Sequence, residues 1–249
     1  MVEVAGASGS GISAAPVLLV CPTRARAGNA RRLIDTWGRT GVCSDLIFCV
    51  DDDDPQLPAY RALMGERMFH RGVVTWLRGP RMSLCGWTDL VAAEYAPRYQ
   101  ALMSIGDDHV PETGAFDLKL YDAAAIDGGG FAYGDDGVQH ENLPTACLIT
   151  TNILRALAGP DGKPRMCLPG ARHMFTDAYW RDLAAAAGCR YYLPHVSVRH
   201  LHHITRASVR DQTYLDGEAS WAADEAVYRA WLADRIGFDA TIVKEVIGQ

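Results

Sequence analysis

Short apolar runs of strand length alternate along this chain with stretches whose apolar positions recur every three or four residues. The runs at 16–21, 46–50, 73–77 and 101–105 are bounded by Pro, Gly or acidic residues and predict strands. Between the first two, Leu33, Ile34 and Trp37 fall at helical spacing, with Gly28 and Asn29 ahead and Gly41 beyond, which predicts a helix over 30–39. A second helix is predicted over 83–96. Strand, helix and strand in quick succession make a βαβ unit, whose crossover should be right-handed. Its repetition predicts an α/β fold, a Rossmann-like, mostly parallel central sheet flanked by helices on both faces in a single domain.

The second half is less regular. The pattern suits a helix over 116–125, a sharp turn at 128–130, a short strand at 131–133, another strand or the start of the following helix at 146–151, a helix over 152–158 and a loop at 159–164. Thr176 and Asp177 should cap a helix over 178–187 that ends in Gly188. Strand-like 190–194 and 196–198 lead into His200-Leu201-His202-His203, and 219–235 reads as a closing helix. At the other end, 5–15 is small and Gly/Ser-rich, so 1–15 is expected to be a flexible leader.

Composition narrows the function classes. The chain has 249 residues, 49% of them hydrophobic and 22% charged, as in a globular protein. A formal charge of −6 gives no whole-protein attraction to nucleic acid or anionic membranes, although Arg24, Arg26, Arg31 and Arg32 could form a local basic site. No apolar run is long enough for a membrane span, and Met1-Val2-Glu3-Val4 lacks the basic start of a signal peptide. The seven cysteines form no Cys-x-x-Cys pair and several sit in apolar runs, so they are expected as free thiols in a cytoplasmic, reducing compartment.

The candidate chemistry gathers where strands end. In open α/β sheets ligands bind outside the carboxyl edge, and there the strand at 101–105 runs out into Gly106-Asp107-Asp108-His109. Carboxylates suit Mg²⁺ or Mn²⁺, and the added imidazole shifts the preference towards Mn²⁺; the bland alternative is an acidic turn. The loop Pro22-Thr23-Arg24-Ala25-Arg26-Ala27-Gly28-Asn29 leads from the first strand to a helix start, where free N–H groups and guanidinium groups suit phosphate oxygens or a polar base. Four acids, Asp51 to Asp54, end the second strand, and Asp51 could accept from a base N–H or a ribose hydroxyl. His200 and His202, two apart on an extended segment, should face the same way and could share a metal with the acids at 107 and 108. Asp177, by default a structural acid at a helix start, could be a general base, and the helix dipole should hold its pKa low.

In this order the motifs resemble a GT-A type glycosyltransferase, in particular the small enzymes of bacteriophage and actinobacterial genomes. The resemblance spans roughly 16–205. Gly106-Asp107-Asp108-His109 stands where that fold carries Asp-x-Asp, and Asp107-x-His109 is similar to the Asp-x-His of the polypeptide N-acetylgalactosaminyltransferases. Glu141-Asn142-Leu143-Pro144, Arg172-His173 and Asp177 before Trp180 resemble the acceptor half, with Thr176 where a Glu often stands. The resemblance implies a nucleotide-binding half over 16–110, an acceptor half over 111–205 and a C-terminal helical segment over 206–249. It implies a UDP- or GDP-sugar donor and Mn²⁺ or Mg²⁺ held by Asp107 or Asp108, His109 and His200 or His202. Thr23, Arg24, Arg26, Asp51, Arg81 and Asp107 would line the donor, and Asp177 would be the base of an inverting transfer to a hydroxyl acceptor. That acceptor could be protein, glycan, small molecule or modified DNA base. A nucleotidyltransferase would share the fold, but Pro22-Thr23-Arg24 is no Gly-rich phosphate loop. A non-catalytic nucleotide- or sugar-binding module should lack a full metal set, and a mononuclear zinc hydrolase would need a second histidine pair nearby.

Overall fold

The computed structural model describes residues 2–6, 15–64 and 72–249. Four parallel strands form its centre: β2 (Val17–Thr23), β3 (Asp45–Asp51), β4 (Val74–Gly79) and β5 (Ala101–Ser104). They are continuous apolar runs because both faces are covered. Val17, Leu19, Phe48 and Met103 belong to one core, while Leu18, Val20, Ile47 and Leu102 belong to the other. The first core is closed by α1 (Ala27–Arg39), α2 (Leu57–Met64) and α4 (Phe116–Ala125). The second is closed by α3 (Leu84–Tyr95), α5 (Thr151–Ala156), α6 (Thr176–Ala187), α8 (Trp221–Asp234) and α9 (Ile236–Ile247).

The remaining strands widen the sheet and change its character. β1 (Glu3–Gly6) pairs antiparallel with β4 at one edge. On the other side β8 (Cys147–Thr150) joins β5 antiparallel, followed by β7 (Phe131–Asp135), β9 (Arg190–His200) and β6 (His109–Pro111). The full order is β1-β4-β3-β2-β5-β8-β7-β9-β6. The predicted parallel sheet is therefore its central part, and antiparallel pairs attach the second half.

Several sequence expectations need correction. Residues 3–6 fall within the expected leader yet form a strand, because the edge of β4 offers unpaired backbone groups; residues 7–14 lie outside the described residues. The strand-like pieces at 190–194 and 196–198 are one strand, β9, whose pairing with β7 shifts register between Gly134 and Asp135. The helix expected over 219–235 is α8, and a further helix that was not predicted, α9, follows it after Arg235. Two short helices, α2 and α7 (Gln212–Glu218), were not predicted. Thr176 and Asp177 do not cap α6 in the expected way. The cap position is Phe175, held at φ 63 without a side-chain bond, and the preceding turn is held by Asp224 of α8. The other end of α6 does stop at Gly188, at φ 75, as predicted.

Candidate active site

Strand order reverses between β2 and β5, so a crevice opens at their carboxyl ends. The loop after β2 and the turn after β5 meet across it. The Thr23 hydroxyl donates to Asp107 Oδ2 at 2.6 Å, while Arg26 and Asn29 each reach Asp107 Oδ1 at 3.3 Å. Asp107 is thus buried and turned towards the β2 loop. Burial and the charge of Asp108 push its pKa up.

Asp108 turns the other way, towards two imidazoles. β6 pairs antiparallel with β9 so that His109 lies opposite His200, and their rings stack with centroids 4.3 Å apart. Asp108 Oδ1 is 3.4 Å from both His109 Nδ1 and His200 Nε2. Ligands about 2.1 Å from an octahedral ion stand roughly 3 Å apart, so this spacing fits a small divalent cation. The donor atoms of the three residues lie within 4.8 Å of one another. His109 Nδ1 is buried and makes no hydrogen bond, which an ion there would remedy. Gly106 permits this crowding, since a Cβ there would come within 2.7 Å of Asp108 Oδ1 and 2.9 Å of His109 Nδ1.

The titration of the group follows from its packing. Burial opposes the charge on Asp108, but His109 and His200 outweigh it and hold the carboxylate well below its usual range. Burial likewise opposes protonation of His200, yet Asp108 and Asp136 push it up to about 9. His109 is pulled down by burial and by the neighbouring His200. Asp136 stands behind His200, 3.9 Å from Nδ1, and its carboxylate is fixed by the N–H groups of Val138, Gln139 and His140 and by the Thr145 hydroxyl.

His202 lies outside this group. The period-2 argument fails because β9 ends at His200 and the His202 N–H folds back onto the His200 carbonyl at 2.9 Å. The His202 ring lies edge-on to that of His200, its Nδ1 accepts from the Ile204 N–H, and burial with neighbouring imidazoles lowers its pKa to about 4.

The arginines occupy the other side of the crevice, and acids hold them. Arg24 donates to Asp51 and Asp53, and Ala25, at φ 56, is pinned by its N–H to Asp54. Asp51 also accepts from the Trp87 indole at 2.8 Å and the Met82 N–H, so this buried acid is built into the base of the loop. Arg26 makes two 2.7 Å bonds to Asp211, and Arg81 donates to Asp216 at 2.8 Å.

No protein-family model matches the chain, and no curated protein matches its sequence. Solved structures do match its shape. The mannosyltransferase PcManGT from Pyrobaculum calidifontis, solved in complex with GDP-Man and Mn²⁺, aligns at 10% identity with a TM-score of 0.58, covering 93% of this chain and 73% of that one. S. aureus TarS aligns at 8% identity with a TM-score of 0.52, covering 73% of this chain and only 36% of its own length. The chain has the GT-A fold.

Within the GT-A fold, the residues that sequence reasoning missed come from its later segments. Tyr214 of α7 donates to Asp108 Oδ2 at 2.7 Å and lies under the Arg26 guanidinium, 4.4 Å from ring centroid to carbon. Asp136, Asp211 and Asp216 were passed over because nothing near them forms a motif. The bond to Asp107 from Asn29, expected in the first loop but found in the first turn of α1, was equally invisible. Asp177, one residue into α6, is half-buried and accepts from the Ala178 N–H. Its pKa is raised by burial, opposite to the expected lowering, because desolvation outweighs the backbone donors and the charges of Arg181 and His200. Asp224 supports this region by accepting from the N–H groups of Arg172, His173 and Met174.

All seven cysteines are free, and no helix among the described residues is long and apolar enough to cross a membrane.

Proposed function

We propose that this protein transfers a sugar from a nucleoside-diphosphate sugar to a hydroxyl acceptor, with a divalent metal and inversion at the anomeric carbon. The observation that carries the reading is the convergence of Asp108, His109 and His200 at the switch point of a GT-A sheet. The fold likeness to PcManGT, solved in complex with GDP-Man and Mn²⁺, supports a nucleotide-sugar donor and a Mn²⁺ or Mg²⁺ site. Hexose transfer from a UDP- or GDP-sugar is the specific form proposed.

When bound, the metal would supply positive charge against the phosphate oxygens of the leaving group. The chain's own residues have distinct tasks. Asp108, His109 and His200 would hold the ion, and Asp136 places a negative charge 3.9 Å behind the His200 ring. Asp107 ties the β2 loop to the β5 turn through Thr23 and Arg26, so it shapes the crevice. Arg26 and Arg81 add guanidinium charge for the diphosphate, while Asp51 steadies Arg24 at the rim. His202 caps the turn after β9. On the acceptor side, Asp177 would take the proton of the incoming hydroxyl; a raised pKa makes its carboxylate a stronger base.

Calorimetric titration with GDP and UDP, with Mn²⁺ and then with EDTA, tests the donor and metal together. Affinity for one of the two that collapses on chelation is expected. Equal affinity with and without metal would remove the metal from the reading, and no binding of either nucleotide would remove the donor.

A further inference from the structure

The donor side of the crevice is already filled by the chain itself. Four consecutive-turn contacts run from α7 and its cap into the residues expected to line a donor. Asp211 grips Arg26 through both carboxylate oxygens at 2.7 Å, and Asp216 takes Arg81 at 2.8 Å. Between them, the Thr213 hydroxyl bonds the Arg24 carbonyl at 3.0 Å, and the Tyr214 hydroxyl bonds Asp108 at 2.7 Å. The segment therefore offers the arginines two anionic groups and offers the metal-side acid a hydroxyl donor.

We infer that residues 211–216 are an internal plug whose carboxylates occupy the diphosphate-oxygen positions on Arg26 and Arg81 and must be exchanged for an organic diphosphate before it can bind. A diphosphate presents the same pairing chemistry to guanidinium groups, with more charge and more acceptor oxygens than two carboxylates. The Arg26 side chain is only 10% exposed, and its inner nitrogen already faces Asp107 at 3.3 Å and Asp108 at 3.6 Å, so an incoming anion must take the place of Asp211. The plug is built to be released. Its two carboxylates are more than a third exposed, α7 is one short helix, and Gly217 lets it lie close on His173, where a Cβ would come within 3.1 Å of the ring. The inference rests on the nucleotide-sugar reading only for the identity of the natural ligand.

The test compares wild type with Asp211→Asn/Asp216→Asn. Asparagine keeps the size of both side chains and can still cap α7, where Asp211 accepts from the Tyr214 N–H. Inorganic pyrophosphate, GDP and UDP are titrated into each protein with Mn²⁺, and hydrogen exchange is followed over 206–218. Loss of the competing anions should tighten binding roughly tenfold or more, and ligand should speed exchange across the segment in wild type. Tighter binding of pyrophosphate with no binding of either nucleotide leaves the plug standing and removes the nucleotide-sugar reading. Unchanged or weaker binding of all three ligands overturns the plug, whatever wild type does with GDP or UDP. Weaker binding with slowed exchange would instead make the segment part of the ligand-bound state.

Discussion

The two sides of the crevice are in opposite condition. On the β5–β6–β9 side, Asp108, His109 and His200 converge with a buried ring nitrogen left without a hydrogen bond, so the cluster is short of a partner. On the β2 side, Arg24, Arg26 and Arg81 each already hold a carboxylate of the same chain. Asp108, His109, His200 and Arg26 are charged or titratable groups brought out of water, whereas Arg81 is half exposed. The first side is held rigidly by strand pairing, His109 opposite His200, and cannot relax to satisfy itself. On the second, Arg24 is held by Asp51 and Asp53 at the end of β3, while Arg26 and Arg81 are held from α7 and its cap, a segment outside the sheet. A site can thus be preformed for a metal while it remains closed to an anion.

The largest effect should come from removing the anionic member of the metal side. Asp108→Asn keeps the shape but withdraws the charge that joins both imidazoles, and turnover should fall by about 10⁴-fold, corresponding to several kcal/mol of lost charge stabilisation. A folded variant that retains Mn²⁺ affinity and turnover would show that the cluster is structural. Next, Asp177→Asn should lower turnover by roughly 10²–10⁴-fold while GDP or UDP binding survives. Near-normal turnover, or a product with the donor's anomeric configuration, would reduce Asp177 to an acceptor contact.

A smaller effect is expected one layer further out. Asp136→Asn loosens the support of His200, and Mn²⁺ affinity should drop about 10–100-fold. It should leave pyrophosphate binding measured without metal unchanged, because the arginine side does not touch Asp136. The gentlest change, at about tenfold per unit, is in pH. His200 is raised to about 9 by its two carboxylates, so at neutral pH a metal must displace its proton. Mn²⁺ affinity should therefore rise about tenfold per unit from pH 7 and level off near 9, with one proton released per ion. The sign reverses for the metal-free protein. A raised imidazole contributes stability in full below its ordinary value, about 6.5, and loses it as pH climbs through about 9. A flat metal affinity over this range would place the ion away from His200.

Local pattern carried much of the first half. The apolar runs of β2, β3 and β5 and the spacing of Leu33, Ile34 and Trp37 in α1 are dictated by burial on two sheet faces, which leaves a direct trace in the sequence. The predicted 116–125 matches α4. Gly106-Asp107-Asp108-His109 was legible as a strand-end motif because glycine, acids and imidazole are adjacent in the chain. The late histidines were legible as a group, of which His200 lies beside Asp108 and His109.

What each of those residues does was decided by tertiary structure. Asp107 and Asp108 are neighbours with the same chemistry, yet one faces Thr23 and the other His200, because the turn after β5 lies between two loops that approach from opposite sides. The pairing of His109 with His200 depends on an antiparallel register between residues ninety-one positions apart. One backbone turn places His202 outside the cluster, and Arg26 and Arg81 are paired with Asp211, the cap of α7, and Asp216. The raised pKa of Asp177 comes from burial. Sequence alone thus determined the hydrophobic periodicity, hence the elements and the sheet edge where polar chemistry collects, since those depend on neighbours along the chain. Partners, orientation and charge state were settled only by the fold, because they depend on which distant groups desolvate and pair with each side chain.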